Sequence, residues 1–380
     1  MPCWGMADSP FLIVGGGIAG LAAALGLARI GRPALILEKS PVFDEVGAGL
    51  QLGPNAVHAL QWLGAWDAVA PSCVAPTEIH VRDGVSGNIL QRIFLGANFE
   101  NKFGAPYRVA HRADLQKGLL ESVHSKPGIE LRNSVEATGV SFAETILALK
   151  SGKNLKGEAI IAADGVRSMI RNLIAGAGQI RNGHLLYRGL VPINAVPTSV
   201  NTEVVTLWLC PGGHVVHYAV SNGRQVNIIA AVENPDIPLK TTFMLACKPL
   251  AEILESQKNW STWPALDLEP RRNWIQNKTV LIGDAAHASL PYLAQGAAMA
   301  LEDACVLSSA IHDDKDIVSA FRTFSKTRFG RTTAIQNRSR QLGKVYHARA
   351  APGLARNLIL RATPSSHFLK QMSWIYGWKL

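Results

Sequence analysis

The first forty residues alternate between short apolar runs and one segment of helical periodicity. Residues 11–14 (FLIV) predict a buried strand, residues 21–30 predict a helix, and residues 33–37 predict a second strand that ends at Glu38. The glycine-rich segment GGGIAG (residues 15–20) separates the first strand from the helix. This order indicates a β-α-β unit at the start of a doubly wound α/β domain.

The glycines of this loop predict a turn that binds a dinucleotide. Gly15 allows the tight turn, Gly17 lets the backbone approach a pyrophosphate, and Gly20 allows close packing of helix and strand. The phosphates would lie at the helix N-terminus, where free N–H groups and the helix dipole favour an anion. Glu38 lies 21 residues beyond Gly17, which is the usual spacing for a carboxylate that binds a ribose.

Two later segments also run from a strand into a turn. Residues 160–168 (IIAADGVRS) predict a strand, a bend at Asp164 and a helix. Residues 279–287 (TVLIGDAAH) predict a strand that ends at Gly283, followed by Asp284. The carboxylate of Asp284 is thereby placed to bond a sugar hydroxyl.

A proline-glycine loop, residues 291–296 (PYLAQG), precedes helical periodicity at residues 297–311. The first N–H groups of this helix, near Ala297 and Ala298, face a site that favours partial negative charge.

The segments between these units have the alternating pattern of strands. Residues 77–92 and 185–232 are of this kind, and the clearest strands are predicted at residues 203–209, 213–220 and 225–232. They predict a β-sheet that is separate from the nucleotide-binding unit.

Composition excludes several classes of protein. The 380 residues are 48% hydrophobic and 17% charged, with a mean hydropathy of +0.11, so the chain can form two joined domains with a large core rather than a disordered protein. Five dispersed cysteines without a CxxC motif argue against a disulfide framework and against a metal site. The same cysteine usage predicts a reducing cytoplasm. No run of 18 apolar residues and no secretory signal are found.

The net charge of +10 is concentrated near one end of the chain. Residues 317–380 carry twelve Lys and Arg and no Asp or Glu, whereas the rest carries 26 basic and 28 acidic residues. No nucleic-acid-binding motif accompanies this charge. We expect solvated or subunit-facing helices that attract small anions, in a monomer or homodimer, rather than contact with nucleic acid or a membrane.

Three motifs in this order resemble the single-component (class A) FAD-dependent aromatic hydroxylases, of the p-hydroxybenzoate, salicylate, 3-hydroxybenzoate and 6-hydroxynicotinate hydroxylase type. The motifs are GGGIAG with Glu38, ADGVRS (residues 163–168), and GDAAH (residues 283–287) followed by PYLAQGAAMALEDA (residues 291–304). GAGLQLGPNAVHALQWLG (residues 47–64) and HRADL (residues 111–115) support them. The resemblance extends from Phe11 to about residue 328.

The resemblance implies a Rossmann-like FAD-binding domain with an inserted β-sheet substrate domain and C-terminal helices. It implies tightly bound, non-covalent FAD, NADH or NADPH as a transient reductant, and hydroxylation by O₂ through a flavin hydroperoxide. The substrate would be a small hydroxybenzoate- or hydroxypyridine-like aromatic. The FAD-binding domain would comprise residues 7–75, 105–180 and 276–330, the substrate domain residues 76–104 and 181–275, and a basic helical segment residues 331–380.

The resemblance also implies which residues contact FAD. Glu38 would bind the adenosine ribose, Arg112 the pyrophosphate or flavin region, and Asp284 the ribityl or pyrophosphate side. The full set is Gly15, Gly17, Ile18, Ala19, Gly20, Glu38, Lys39, Gly49, Arg112, Asp164, Gly283, Asp284, Gly296, Ala297 and Ala298. Two departures from the common pattern occur, since Ala294 replaces a glycine and Ala298 replaces an asparagine.

Candidate catalytic residues lie on the strand at residues 213–220. Side chains alternate along a strand, so His214 and Tyr218 share one face and His217 points to the other. His214 and Tyr218 could hold a phenol and accept its proton, and an ordinary histidine pKa of about 6.5 suits that step. His217 is the alternative. Pro291 is expected to shape the loop at the flavin, and Gln295 to contact substrate.

The sequence is also compatible with two other functions. One is a hydroxylase of a non-aromatic or prenylated-quinone substrate at a membrane surface, which would use the basic segment. The other is a non-catalytic FAD-binding sensor, against which the set Glu38, Arg112, Asp164 and Asp284 argues.

Overall fold

The computed structural model describes residues 9–42, 48–176 and 180–380. The expected domain start at residue 7, the first residue of the 47–64 motif and residues 177–179 lie outside the described residues.

The strands of the described residues fall into four sheets. They are β1 (Phe11–Val14), β2 (Ala34–Leu37), β3 (Gly49–Leu52), β4 (Glu78–Asp83), β5 (Ile89–Phe94), β6 (Arg108–His111), β7 (Ile129–Arg132), β8 (Ala137–Ser141), β9 (Ile146–Leu149), β10 (Asn154–Lys156), β11 (Ile160–Ala162), β12 (Ile180–Pro192), β13 (Val205–Cys210), β14 (Gly213–Val220), β15 (Gln225–Val232), β16 (Ser261–Leu268), β17 (Ile275–Gln276) and β18 (Thr279–Leu281).

The helices of the same residues include two long ones that follow the last strand. They are α1 (Ile18–Arg29), α2 (Pro54–Trp62), α3 (Trp66–Val69), α4 (Ala97–Phe103), α5 (Arg112–His124), α6 (Met169–Ala175), α7 (Leu239–Thr242), α8 (Lys248–Ser256), α9 (Asp284–His287), α10 (Gly296–Asp313), α11 (Ile317–Tyr346), α12 (Ala350–Ala362), α13 (Ser365–Gln371) and α14 (Ser373–Tyr376), with 3-10 turns at Ala70–Ser72, Ile193–Ala195 and Pro291–Leu293.

A six-stranded sheet forms the first layer, in the order β17-β18-β11-β1-β2-β7, and all its pairs except β17–β18 are parallel. The strands β1, β2, β11 and β18 are fully buried, which explains their continuous apolar runs. Their carboxyl ends lie at one edge of the sheet. The three motifs found in the sequence therefore meet there, although more than 260 residues separate the first from the last.

A seven-stranded sheet, β16-β12-β15-β14-β13-β4-β5, forms the second main layer. The strands predicted at 203–209, 213–220 and 225–232 are confirmed as β13, β14 and β15. Strand β4 pairs in parallel with β13, so residues 78–94 join a sheet whose other strands follow almost a hundred residues later. One face packs on its own apolar cluster around Trp208 and Val215.

Helix α11 connects the two layers. It runs without interruption through 30 residues, so the boundary predicted between residues 330 and 331 falls inside a helix and is wrong at that point. Arg328 binds acids of α10, whereas Arg340 binds Asp267 of β16 (2.6 and 3.0 Å) and the carbonyl of Leu268. The other predicted domain boundaries remain a proposal. Helix α11 packs against both predicted parts.

A buried ion-pair network holds α11 against α10. Arg328, 1% exposed, donates from Nε to Asp303 Oδ1 (2.7 Å) and from Nη1 to Glu302 Oε2 (2.6 Å). Arg331 makes two further bonds to Glu302, both 2.7 Å. Burial alone would raise the pKa of Glu302 and Asp303, but these cations hold both below their ordinary values, joined at Asp303 by His287. The carboxylates are therefore ionised inside the core.

The expectation that the basic segment is solvated is wrong for part of it. Arg328, Arg331 and Arg340 neutralise carboxylates of preceding segments. The physical reason is that a cation-rich helix supplies the partners for acids that the sheet and α10 place in or near the core. None of the helices in the described ranges has the length and apolar character needed to cross a membrane.

We expect Arg328→Leu to destabilise the protein by about 3–5 kcal/mol, because Glu302 and Asp303 would remain buried without their main partner. The melting temperature of the FAD-loaded protein should fall by roughly 5–15 °C. Arg322→Leu is the matched control, since Arg322 is exposed on the same helix. Equal melting temperatures for the two variants would contradict this role.

Candidate active site

A cavity of about 510 Å³ lies between the carboxyl edge of the six-stranded sheet and one face of the seven-stranded sheet. This size is typical of a small-molecule site. Most residues singled out from the sequence line it, namely Gly15, Gly17, Ile18, Ala19, Glu38, Lys39, Gly49, Arg112, Asp164, His214, Tyr218, Asp284, Pro291, Gly296 and Ala297.

The first glycine loop has three different local environments. Gly15 has φ +106°, and a Cβ there would lie 2.4 Å from the carbonyl oxygen of Ala163, the residue that follows β11. A Cβ at Gly20 would lie 1.9 Å from the Gly15 carbonyl oxygen, so this position serves helix–strand packing and does not line the cavity. A Cβ at Gly17 would meet nothing within 4 Å. Open space therefore adjoins the N-terminus of α1.

Glu38 lies at the end of β2 and is held by the backbone. Its Oε2 accepts a hydrogen bond from the Gly16 N–H (2.7 Å), and its Oε1 accepts one from the Ser40 N–H (2.9 Å). The carboxylate thus faces the cavity in a fixed orientation and also braces the glycine loop.

Asp164 has one engaged oxygen and one orphaned oxygen. Its Oδ2 accepts hydrogen bonds from the N–H groups of Met169 (2.9 Å) and Ile170 (3.3 Å) at the start of α6. Its Oδ1 is buried without a partner. Burial raises the pKa of Asp164 above its ordinary value. A ligand hydroxyl or N–H group at this point would satisfy the orphaned oxygen.

Asp284 and Gly296 begin the helices that close the other side of the cavity. Asp284 is exposed at the start of α9. Gly296 begins α10, and a Cβ at that position would meet nothing within 4 Å. Gly283 and Ala298 do not line the cavity. The Gly283 N–H donates to Asp303 Oδ2 (2.9 Å), and Ala298 is fully buried behind the helix start.

Gln295 does not face the cavity, so its predicted contact with substrate has no support in the geometry. It is 3% exposed, and its Oε1 accepts a hydrogen bond from Asn55 Nδ2 (2.8 Å). The same Asn55 nitrogen lies 2.7 Å from Glu302 Oε1. These hydrogen bonds to buried polar groups therefore direct the Gln295 side chain into the core and away from the cavity.

One face of β14 forms the opposite wall. His214 and Tyr218 both face the cavity, with Val216 between them, as the alternation predicts. His214 Nδ1 lies 2.8 Å from His347 Nε2, which leaves Nε2 of His214 for a ligand. Burial, with the nearby His184, lowers the pKa of His214 to about 3. The expectation of an ordinary histidine pKa is therefore wrong, because the ring is shielded from water.

His217 points away from this cavity and stacks on Trp208 on the other face of the sheet, with ring centroids 6.2 Å apart. Of the two candidate histidines, His214 is therefore the one that can meet a ligand in the cavity.

The chain matches the family described as FAD binding domain over residues 8–313. It is also 34% identical to the 3-hydroxybenzoate 6-hydroxylase of Polaromonas naphthalenivorans over 388 aligned positions, which cover 98% of this chain and 97% of that protein. The chain belongs to this family of FAD-dependent monooxygenases.

Other relatives and structures agree with this membership. The 6-hydroxynicotinate 3-monooxygenase of Bordetella bronchiseptica is 28% identical over 342 positions, covering 85% of this chain and 88% of that protein. Klebsiella pneumoniae HpxO, solved with FAD and uric acid, has a TM-score of 0.87 at 22% identity and covers 99% of both chains. A salicylate hydroxylase substrate complex has a TM-score of 0.81 at 23% identity, and the match covers 99% of this chain and 97% of that chain. These two structures share the fold.

The residues of this monooxygenase fit FAD. Open backbone at Gly17 and Gly296 lies at two helix N-termini, where phosphate and a partly negative ring are favoured. The orphaned Asp164 Oδ1 requires a donor, and Glu38 offers a fixed carboxylate at the ribose position of such folds.

The sequence did not predict two residues that line the cavity, Arg188 and Tyr292, or the two histidines that contact its wall, His184 and His347. Arg188 lines the cavity from β12. His184 is hydrogen-bonded to the Tyr292 hydroxyl, and its ring centroid lies 4.4 Å from that of His347. Burial, reinforced by neighbouring cations and histidines, lowers the pKa of His347 to about 2. Tyr292 lies in the PYLAQG loop and was within reach of motif analysis. No local pattern marks the other three.

We expect Glu38→Ala to weaken FAD binding by about ten- to a hundredfold, because a charge-assisted hydrogen bond to the ribose and the brace on the glycine loop are both lost. FAD release during dialysis, followed by absorbance, measures the change. Glu121→Ala, an exposed carboxylate on α5, is the matched control and should retain FAD. An unchanged FAD affinity in the Glu38 variant would exclude this contact.

Proposed function

We propose that this monooxygenase hydroxylates a small aromatic acid that carries a ring hydroxyl, of the hydroxybenzoate or hydroxypyridine class, with NADH or NADPH as reductant and O₂ as oxidant. One observation carries the proposal. Arg188 faces the cavity, and none of the described residues forms an ion pair with it. A cation in this position calls for an anionic substrate group.

The position of Arg188 supports a carboxylate partner. It lies on β12 opposite Ile229 of β15, which in turn lies opposite Val216 of β14. Its Nε is buried without a hydrogen-bond acceptor, and burial lowers its pKa from the ordinary value. Guanidinium and carboxylate form paired, charge-assisted hydrogen bonds, so a substrate carboxylate would satisfy this group.

The surrounding wall suits an aromatic ring with a hydroxyl. Val216 and Ile229 supply an apolar surface next to Arg188. His214 and Tyr218 lie on either side of Val216 along β14, so a ring on this surface would have polar groups at both ends. Burial raises the pKa of Tyr218, which keeps it a neutral donor.

His214 would act as a neutral hydrogen-bond acceptor for the substrate hydroxyl. If its Nδ1–H donates to His347 Nε2, its own Nε2 carries the lone pair that receives the phenolic hydrogen. A hydrogen bond that draws the proton away from the phenolic oxygen raises the electron density of the ring. The ring is thereby activated towards electrophilic attack. In this arrangement His347 is a positioning residue, since it selects the tautomer of His214.

Bound FAD supplies the redox chemistry, accepting electrons from the nicotinamide and activating O₂. The residues of the chain itself would position the substrate and stabilise the charge that develops next to it. The N–H groups at the start of α10, residues 296–298, would favour negative charge on the nearby ring of the cofactor. The apolar wall excludes water from the reacting carbon.

The relatives support this substrate class. The names of those covering most of this chain specify 3-hydroxybenzoate, 3-amino-4-hydroxybenzoate and 6-hydroxynicotinate, each a small aromatic acid with a ring hydroxyl. We further propose that the protein is a cytoplasmic monomer or homodimer. The cytoplasmic location is supported by the described cysteines, Cys73, Cys210, Cys247 and Cys305, which are all free thiols, as in a reducing compartment.

We expect Arg188→Gln to raise KM for the best aromatic acid by about ten- to a hundredfold, because one charge-assisted pair is lost. A panel of hydroxybenzoates and hydroxypyridine carboxylates, assayed for coupled NAD(P)H oxidation and product, identifies that acid. The corresponding amide should be affected far less, because it lacks the charge.

Arg181→Gln is the matched control, since Arg181 lies on the same strand but pairs with Glu269 outside the cavity. Equal losses for acid and amide, or normal KM in the Arg188 variant, would refute a carboxylate contact. Absence of any coupled hydroxylation across the panel would refute the substrate class.

We expect His214→Ala to lower hydroxylation by roughly ten- to a hundredfold while FAD stays bound, because the hydrogen-bond acceptor for the phenolic hydroxyl is removed. NADH oxidation should continue and release hydrogen peroxide instead of product. Because the pKa of His214 is about 3, wild-type hydroxylation should show no step near pH 6.5 that the variant lacks. Coupled hydroxylation at the normal rate would remove His214 from the mechanism.

A further inference from the structure

A second cavity, of about 260 Å³, lies on the face of the seven-stranded sheet that points away from the active site. Its main side chains come from β4, β5, β13 and β14, with residues 199–201 at its rim. The proposed function uses none of them. Strand β14 separates the two cavities, with His214 on one side and His217 on the other.

The strand register brings the polar groups of this second cavity together. Arg92, His80, Thr206 and His217 are neighbours in one row across β5, β4, β13 and β14. In the next row Arg82 lies opposite Trp208. Directly opposed residues of a sheet project from the same face, so these side chains converge although they are far apart in the sequence.

Several of these groups are buried without a partner. Both ring nitrogens of His217 and the indole Nε1 of Trp208 have no hydrogen-bond partner, and each residue is 1% exposed. The Nε of Arg82 is unpartnered as well, with its guanidinium carbon 5.1 Å from the centre of the Trp208 ring. Buried polar groups left in this state cost free energy, and a bound acceptor would recover it for the donors among them: the guanidinium, the indole N–H and the one N–H of the neutral His217 ring.

The charges near the second cavity favour an anion. Neither Arg82 nor Arg92 forms an ion pair within the described ranges. The nearby acids are already engaged: Glu78 lies 2.7 Å from His80, and Glu252 binds the Ser199 hydroxyl and lies 3.8 Å from Lys248. Donors and positive charge therefore exceed the acceptors available from the protein.

We propose that the second cavity binds a small oxyanion, a carboxylate or a phosphate. Its oxygens would accept hydrogen bonds from Arg82, Trp208 and His217, with Arg92 adding charge from the exposed side. The volume lies just below the usual range for drug-sized ligands, which favours a small ligand. Such a ligand would be bound independently of the aromatic substrate.

Isothermal titration calorimetry on the FAD-loaded protein tests this site, with inorganic phosphate and acetate as separate probes at constant ionic strength set by chloride. We expect one equivalent of at least one probe to bind, and the stronger probe identifies the chemical source of the oxyanion. Arg82→Gln and His217→Phe should each raise the Kd by about tenfold or more. The phenyl ring keeps the stacking on Trp208 while removing both nitrogens.

Arg29→Gln is the matched control, because Arg29 also lies over a tryptophan, Trp62, at 4.8 Å, but outside the second cavity. It should leave the Kd unchanged. Melting temperature and FAD absorbance verify that each variant is folded. Failure of both probes to bind the wild type, an unchanged Kd in either cavity variant, or an equal loss in the Arg29 variant would each overturn the proposal.

Discussion

The active site depends on the buried carboxylates of Glu302 and Asp303 and on the arginines that neutralise them. Asp303 binds Arg328 on one side and the Gly283 N–H and His287 on the other, so it fixes the loop that precedes Asp284. Glu302 binds Arg331 and reaches Gln295 through an asparagine. Both loops on one side of the cavity are thus held from behind by charge pairs. Two ionised carboxylates in a core are tolerable only because cations from α11 meet them there.

The second organising constraint is the alternation of side chains along β14. His214, Val216 and Tyr218 face the active site, whereas His217 faces the second cavity. A single strand therefore serves two different environments, and a shift of one residue in its register would exchange them. The eight-residue pairing of β14 with β15 makes such a shift costly, because both faces of β14 are packed and every side chain would lose its partners.

Burial determines the chemistry of the cavity wall. The pKa of His214 falls to about 3 and that of His347 to about 2, so both rings are neutral at physiological pH and act through hydrogen bonds. Against this neutral wall Arg188 stands out as a charged group in contact with the site. The proposed function assigns recognition of a substrate carboxylate to Arg188 and recognition of a substrate hydroxyl to His214, so the two groups would be bound by different residues.

The sequence by itself determined the elements and the loops, because periodicity and glycine chemistry are local. Strands β1, β2, β13, β14 and β15, the glycine loop with Glu38 and the shared face of His214 and Tyr218 could all be predicted. Only the tertiary structure decided which way Gln295 turns and that His347 reaches His214 across 133 positions. It also decided that part of the basic segment neutralises buried acids. These outcomes depend on long-range packing, since a side chain's partner and its access to water are set by residues that the local pattern does not contain.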